Sequence, residues 1–266
     1  MMRNNYKLNV PYGRMDKRGQ LAIFVIIAIV IIAGILITVL MFPNVKERVT
    51  GEELSPISYL KDCVEPAVKE NVDKLARNAG YSDDEGSALY LGEKYKYLCY
   101  TSKYYETCKV QQPLIKQNFE DELKKIVEPK ANECLTSLKR AYESRGYDVS
   151  SSGTESDVEI LPGKIRVSFD TPLTISKETT RNFNGFEVNI ESEMYELIFI
   201  AHSIIDYESS LGDSETTVYL QYYPNLKIEK IRLSDGTNIY TLSNVVTREE
   251  FKFASRSLAW PPGIIG

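Results

Sequence analysis

An uninterrupted apolar run near the N-terminus constrains this chain more than any other feature. Leu21–Phe42 is 22 consecutive uncharged residues in which Thr38 is the only polar side chain. As an α-helix this run would be about 33 Å long, enough to cross a hydrocarbon core of roughly 30 Å. The alternatives are a buried core helix, which seldom runs this long without a charge, and a cleaved secretory signal, whose apolar region is shorter. The run therefore predicts one transmembrane helix.

The charges on either side of the run predict its orientation. Residues 1–20 carry five Lys or Arg residues and one Asp, whereas both signs are mixed just after the run. Because basic residues stay on the cytoplasmic side, the N-terminus is predicted to be cytoplasmic and residues 43–266 to be extracellular. The chain has a net charge of −5, so its outer part carries −9 once the leader's +4 is subtracted. Such an acidic region argues against nucleic acid as a partner.

The residues directly before the run, Lys-Arg-Gly-Gln at 17–20, add a resemblance. A basic leader ending in Gly, then Gln and an apolar helix, resembles the class III signal of archaeal type IV pilin-like proteins. The resemblance covers about residues 14–42 and implies cleavage between Gly19 and Gln20, with the helix as an anchor or in a filament core. Polymerising pilins usually carry an acidic residue where Phe24 stands, so an uncleaved anchor remains open. The overall layout also resembles uncharacterised single-pass archaeal surface proteins.

Two apolar stripes with spacings of three and four residues predict two helices in the outer part. The first begins at Ser55-Pro56, an N-cap followed by proline at the first helical position, and closes at Gly80. The second occupies residues 113–145. One proline interrupts each stripe and should kink or split the helix, because proline lacks a backbone donor. These prolines are Pro66 and Pro129.

Period-two alternation dominates the C-terminal part and completes an α+β prediction. Turn dipeptides at 162–163, 184–185 and 235–236 predict hairpins, and the spacing from Met194 to Ile205 predicts a helix capped by Ser192. The predicted fold is an N-terminal transmembrane helix, a disulfide-bridged helical region, and a mainly antiparallel β region with one helix. The predicted divisions are a cytoplasmic basic leader (1–20), a transmembrane helix (21–42), a connector (43–55), a helical Cys-containing region (56–147), a linker (148–156) and an antiparallel α+β region (157–266).

All four cysteines fall in the part predicted to be outside the cell, where disulfides persist. Four cysteines allow three connectivities. We favour Cys63–Cys134, which would join the two helices, and Cys99–Cys108, which would close a hairpin. A zinc site is the alternative, but no Cys-x-x-Cys spacing occurs and the single histidine is distant in sequence.

Few residues are candidates for catalysis or metal binding. His202 is the only histidine, and we interpret it as a structural group because its neighbour Ser203 would point in another direction on a helix. The acidic clusters at 83–85 and 155–159 lack the ligand pattern of a calcium loop and are predicted to be solvated. We therefore predict no catalytic residue, no metal ligand and no cofactor.

Tyrosines crowd around two of the cysteines and point to recognition. Six of them lie within residues 90–105. Tyrosine offers a large contact area with one polar tip, although alternating Tyr and Lys is also typical of a half-exposed strand. We predict a membrane-anchored cell-surface protein with a non-enzymatic binding, adhesion or pilus-like structural role; the alternative is a membrane-tethered extracytoplasmic enzyme or solute-binding module. Expected partners are the lipid bilayer and other surface proteins or copies of itself, and the predicted contacts are Tyr97, Tyr100, Tyr104 and Tyr105.

Overall fold

The computed structural model describes residues 26–33, 54–151 and 155–259. The chain divides into two compact units, Met1–Leu54 and Ser55–Gly266. The second unit is α+β, in agreement with the fold class expected from the sequence.

In the first unit, residues 26–33 are helical with exposed side chains. The rest of the predicted transmembrane helix at 21–42, and the candidate processing site Gly19–Gln20, lie outside the described residues. Within the described ranges, no helix is long and apolar enough to cross a bilayer. The transmembrane helix stays a prediction.

The helices and strands of the second unit are numbered in chain order. The helices are α1 (Pro56–Ala76), α2 (Ile115–Glu143), α3 (Met194–Leu211) and α4 (Thr217–Tyr222). The strands are β1 (Ser87–Tyr90), β2 (Glu93–Tyr100), β3 (Lys109–Val110), β4 (Asp148–Ser151), β5 (Ser156–Leu161), β6 (Lys164–Phe169), β7 (Leu173–Ser176), β8 (Thr180–Phe183), β9 (Phe186–Glu191), β10 (Leu226–Arg232), β11 (Asn238–Asn244) and β12 (Glu250–Arg256).

Helices α1 and α2 form an antiparallel pair. Cys63, in the second turn of α1, is bonded to Cys134 in the C-terminal half of α2, so the predicted bridge is confirmed. Just beyond the other end of α1, Gly80 accepts a hydrogen bond from the Asn118 amide at 3.0 Å. Gly80 has a φ of +86°, and a Cβ there would lie 3.0 Å from the Phe119 ring, so only glycine fits.

Of the predicted kink or split, the split does not occur, because each of these helices continues through its proline as one element. Pro66 and Pro129 both have exposed side chains. A proline on the solvent side removes a single hydrogen bond, and the apolar stripe on the opposite face still holds the helix to the core.

The largest sheet has six strands in the order β1-β2-β12-β11-β10, with β3 paired to β2. It is mixed, because β12 pairs with β2 in parallel while the other pairs are antiparallel. Two smaller antiparallel sheets have the orders β4-β7-β8 and β5-β6-β9. Helix α3 packs on the large sheet through its buried apolar face.

Two of the three predicted hairpins are confirmed. The turns at 162–163 and 235–236 connect the paired strands β5–β6 and β10–β11. The hairpin expected at 184–185 is wrong, because β8 pairs with β7 while β9 pairs with β6. A Cβ on Gly185 would lie 2.9 Å from the carbonyl oxygen of Phe169, so this glycine permits a close approach of backbones.

The predicted linker and helix cap also differ in detail. Asp148–Ser151 forms β4 and Ser156 begins β5, so the described ends of the Ser-rich segment are strand. The N-cap of α3 is Glu193, one residue after the predicted Ser192. The Ser192 hydroxyl still accepts a hydrogen bond from the Met194 amide, at 3.2 Å.

Candidate functional site

Strand β2 and the loop after it present the aromatic residues singled out by the sequence, which we call the tyrosine surface: Tyr97, Tyr100, Tyr104 and Tyr105. The rings of Tyr97 and Tyr100 meet edge to face with their centroids 5.0 Å apart. The Tyr97 hydroxyl lies 2.9 Å from the Thr237 hydroxyl on the neighbouring part of the sheet. One end of the surface is therefore held rigidly against the sheet.

A cavity of about 370 Å³ adjoins this end and is lined in part by Tyr81, Lys96, Tyr97 and Tyr100. The Lys96 ammonium lies 4.3 Å from the centre of the Tyr81 ring and 2.6 Å from Asp83 Oδ1. The hydrogen bond from Lys96 lowers the pKa of Asp83, whereas burial raises the pKa of Tyr81 and of Tyr97. The two phenols are thus neutral at ordinary pH and can both donate and accept hydrogen bonds.

The other end is the loop between β2 and β3, closed by the disulfide Cys99–Cys108. Tyr104 and Tyr105 in this loop are 58% and 74% exposed. Tyr105 has a φ of +65°, which a residue with a Cβ rarely adopts. Its amide donates to the Leu258 carbonyl at 2.8 Å, and the Leu258 amide donates to the Glu106 carbonyl at 3.1 Å. The bridge and these two bonds fix the loop with its aromatic rings in solvent.

The tyrosines that cluster in the sequence differ in their exposure to solvent in the folded chain. Tyr95 is buried and its hydroxyl donates to Glu93 at 3.2 Å, and Tyr97 is half-buried. Tyr100, Tyr104 and Tyr105 are exposed. Three of the four predicted contact residues are therefore accessible, while Tyr97 is half-buried and packs against the ring of Tyr100.

A buried polar cluster, which the sequence did not reveal, lies behind the loop. The Cys108 amide donates to the Ser257 hydroxyl at 3.1 Å, and this hydroxyl donates to the Glu208 carbonyl oxygen at 3.0 Å. The carboxyl of Glu208 is fully buried and accepts hydrogen bonds from the Tyr240 hydroxyl and, at 3.1 Å, from the Asn238 amide. Burial raises the pKa of this carboxyl, although its hydrogen bonds oppose the rise. The cluster ties the loop to α3 and the sheet.

A second and larger cavity, which we call the α3 groove, lies between α2, α3 and β5 and has a volume of about 590 Å³. Helix α3 contributes Tyr195, Ile198, Phe199 and His202 to its lining. These residues are spaced by three and four, so they share one face of the helix. Glu120, Asp121, Asp157 and Glu159 supply carboxylates from the other walls.

His202, interpreted from the sequence as a structural group, lines this groove. Its Nε2 lies 3.4 Å from Asp206 Oδ2, and its side chain is 40% exposed. The adjacent Ser203 turns away, as expected, and its hydroxyl lies 2.8 Å from the Tyr219 hydroxyl. His202 and Ser203 therefore do not form a nucleophile–base pair. The spacing of Tyr195, Phe199 and His202 was the available signal for the groove.

Both acidic clusters lie at the surface, and two residues of each form ion pairs. In the first cluster, Asp83 pairs with Lys96, and Asp84 with Lys94. In the second, Asp157 and Glu159 lie 3.1 Å from Lys124 and Arg166, respectively. The described ranges contain no group of three or more His, Cys, Asp or Glu side chains that could hold a metal ion.

No protein-family model, curated protein or solved structure matches this chain. Functional inference therefore depends on the arrangement of its own residues.

Proposed function

We propose that the protein is anchored in the cell membrane by residues 21–42 and uses its extracytoplasmic region for non-enzymatic binding, in adhesion or pilus-like assembly. The observation that carries this proposal is the loop closed by Cys99–Cys108, which holds Tyr104 and Tyr105 in solvent. Disulfides persist in oxidising compartments, which favours an extracytoplasmic position. A loop that is already ordered loses less conformational entropy when it binds.

Charge and hydropathy support the anchor. The apolar run is preceded by a leader with net charge +4, a combination that favours a cytoplasmic leader. The helical conformation of residues 26–33 is compatible with a spanning helix.

The tyrosine surface would make a lateral or end-on contact with a partner protein. The membrane helix would fix the orientation of the tyrosine surface. Exposed tyrosines bury a large area at low entropic cost, and their hydroxyls can form hydrogen bonds at the edge of an interface. Tyr97 would act indirectly, because its hydroxyl is engaged with Thr237 and its ring orients Tyr100.

Site-specific photo-crosslinking in intact cells tests the contact. A benzoylphenylalanine at Tyr104 or Tyr105 should give crosslinked protein adducts. The matched control is the same group at Val246, which is 68% exposed in the turn between β11 and β12. Adducts from Val246 with none from either tyrosine position would contradict this contact surface.

N-terminal sequencing of the protein recovered from native membranes tests the anchor. A start at Gln20 indicates pilin-type processing, and a start at Met1 or Met2 indicates an uncleaved anchor. A start beyond Phe42 would show that the apolar helix is removed, which contradicts the proposal.

A further inference from the structure

The outward face of α3 and the adjoining α4 carry an unusual number of solvent-exposed apolar side chains. They are between 42% and 75% exposed, and we call them the α3–α4 face: Phe199, Tyr207, Leu211, Val218, Leu220 and Tyr222. Helix α4 contributes no buried residue, and the contact between Tyr219 and Ser203 links it to α3. Exposed apolar side chains concentrated on neighbouring helices are typical of a binding surface.

The same face carries negative charge, and the cations of the neighbouring strand β10 are ion-paired. Residues 194–226 contain five Asp or Glu and no Lys or Arg, although one of the five, Glu208, is fully buried. Asp206 and Glu215 are exposed, and Asp206 has only His202 as a salt-bridge partner within the described residues. Glu215 Oε1 accepts hydrogen bonds from the Thr217 amide and hydroxyl at 3.0 Å and 2.8 Å, which leaves Oε2 for a partner. In the adjacent strand β10, Lys230 and Arg232 pair with Asp213 at 2.5 Å and 3.3 Å, and Lys227 pairs with Glu229 at 2.8 Å.

The face continues into the α3 groove, because Phe199 and His202 belong to the groove wall. A cavity of about 590 Å³ lies within the usual size range of ligand pockets. Leu114, 61% exposed, adds an apolar side chain on the opposite wall. The surface thus combines an apolar strip, a recess at one end and acidic residues along its length.

We propose that the α3–α4 face and the α3 groove bind a basic amphipathic segment of a partner protein. Apolar side chains of that segment would cover Phe199, Leu211 and Tyr222, and its Lys or Arg residues would pair with Asp206 and Glu215. Such a helix-on-face contact is a common mode of peptide recognition. A second copy of the same face would oppose like charges, and an anionic lipid surface would be repelled for the same reason.

The α3–α4 face shares no residue with the tyrosine surface, so an experiment can contradict one proposal and leave the other standing. The test uses the full chain in an uncharged detergent and a fluorescein-labelled amphipathic Leu/Lys peptide, with a Leu/Glu peptide as the charge control. Anisotropy should report binding of the Lys peptide only, and affinity should fall as NaCl is raised. Each measurement is compared with that of the variants in the same detergent, which removes the contribution of peptide partitioning into micelles.

Two double variants separate apolar from electrostatic contributions. Phe199→Ser/Leu211→Ser and Asp206→Lys/Glu215→Lys should each weaken binding by about tenfold or more. The matched control Val245→Ser/Val246→Ser alters two side chains that are 57% and 68% exposed elsewhere, and should leave the affinity unchanged. All these side chains are exposed, so the overall fold is expected to survive. Asp206→Lys alone keeps the hydrogen bonds from Thr217 to Glu215 at the start of α4, and should also weaken binding.

Three results would overturn the proposal. Equal binding by wild type and both double variants, or no binding at all, would show that the face does not select a basic segment. A dimer by sedimentation that disappears in Phe199→Ser/Leu211→Ser would assign the face to a second copy. A dye at Tyr222→Cys that shifts to the blue in anionic but not neutral liposomes would assign it to lipid.

Discussion

Cys63–Cys134 and Cys99–Cys108 restrain the chain on different scales. The first joins residues separated by 71 positions and holds two helices side by side. The second spans only 9 positions and closes one loop. Loop-closure entropy grows with the length of chain enclosed, so the long bridge should contribute more to global stability.

The short bridge has a different role, because it fixes the loop that exposes Tyr104 and Tyr105. Its effect reaches the core through Cys108, Ser257 and Glu208. One bridge therefore stabilises the scaffold, and the other mainly orders the surface that the scaffold presents.

The largest expected effect comes from opening the long bridge. Cys63→Ser/Cys134→Ser should lower the free energy of unfolding by about 4 kcal/mol, as expected for a closed loop of this length. The measurement is chemical denaturation monitored by circular dichroism. A loss no greater than that from opening the short bridge would contradict the division of roles.

Opening the short bridge should cost about 3 kcal/mol and act locally. In Cys99→Ser/Cys108→Ser, amide hydrogen exchange should accelerate in residues 101–108 far more than in α1 and α2. Uniform acceleration across the chain would show that this bridge also stabilises the whole scaffold.

Substitution of Gly236 tests how much Leu258, which is hydrogen-bonded to the loop between β2 and β3, contributes to stability. Gly236 has a φ of +87°, and a Cβ there would clash with the Leu258 side chain. Gly236→Ala should therefore lower stability by about 2 kcal/mol. Gly163→Ala is the control, because Gly163 also has a positive φ but has open space around it. Equal losses would mean that backbone strain alone accounts for the effect.

The buried carboxyl of Glu208 should make the free energy of unfolding depend on pH. Its pKa is raised in the folded state from an ordinary value of 4.5, mainly by burial. Between pH 4.5 and the raised pKa, the folded state binds more protons than the unfolded state. The free energy of unfolding therefore falls as pH rises from 4.5 through the raised pKa. The slope for one group is at most about 1.4 kcal/mol per pH unit. Denaturation across acidic to mildly alkaline pH should show this fall in the wild type and a flatter profile in Glu208→Gln. Superimposable profiles would contradict a raised pKa.

The smallest effect on stability is expected at the tyrosine surface itself. Tyr104→Ala should change the free energy of unfolding by less than about 0.5 kcal/mol, because the side chain is 58% exposed. The same change should reduce partner crosslinking from Tyr105. A large loss of stability would place Tyr104 in the scaffold instead of the recognition surface.

Local signals in the sequence were sufficient for the features that depend on neighbouring residues. Ser55 caps α1 as expected, with its hydroxyl accepting from the Ser58 amide, and the apolar stripes are the buried faces of α1 and α2. Helix phase also brings Cys63 and Cys134 to facing positions, which made their pairing predictable.

Features that depend on distant pairing were not predictable in this way. Residues 184–185 connect β8 to β9, but these strands lie in different sheets, and packing of each sheet decides that β8 pairs with β7 and β9 with β6. The parallel pairing of β2 with β12 and the α3 groove each join segments far apart in sequence. Glu208 looked like an ordinary helical residue because its burial depends on Asn238 and Tyr240 from β11.

Membrane topology is the most direct test of the proposed extracytoplasmic location of residues 55–259. Glu178→Cys places a thiol at an exposed residue between β7 and β8, and Asn4→Cys places one in the basic leader. A membrane-impermeant maleimide added to intact cells should label Glu178→Cys at once and, where the leader is retained, Asn4→Cys only after the membrane is permeabilised. Labelling of Asn4→Cys alone in intact cells, or of neither position until permeabilisation, would contradict an extracytoplasmic location of residues 55–259.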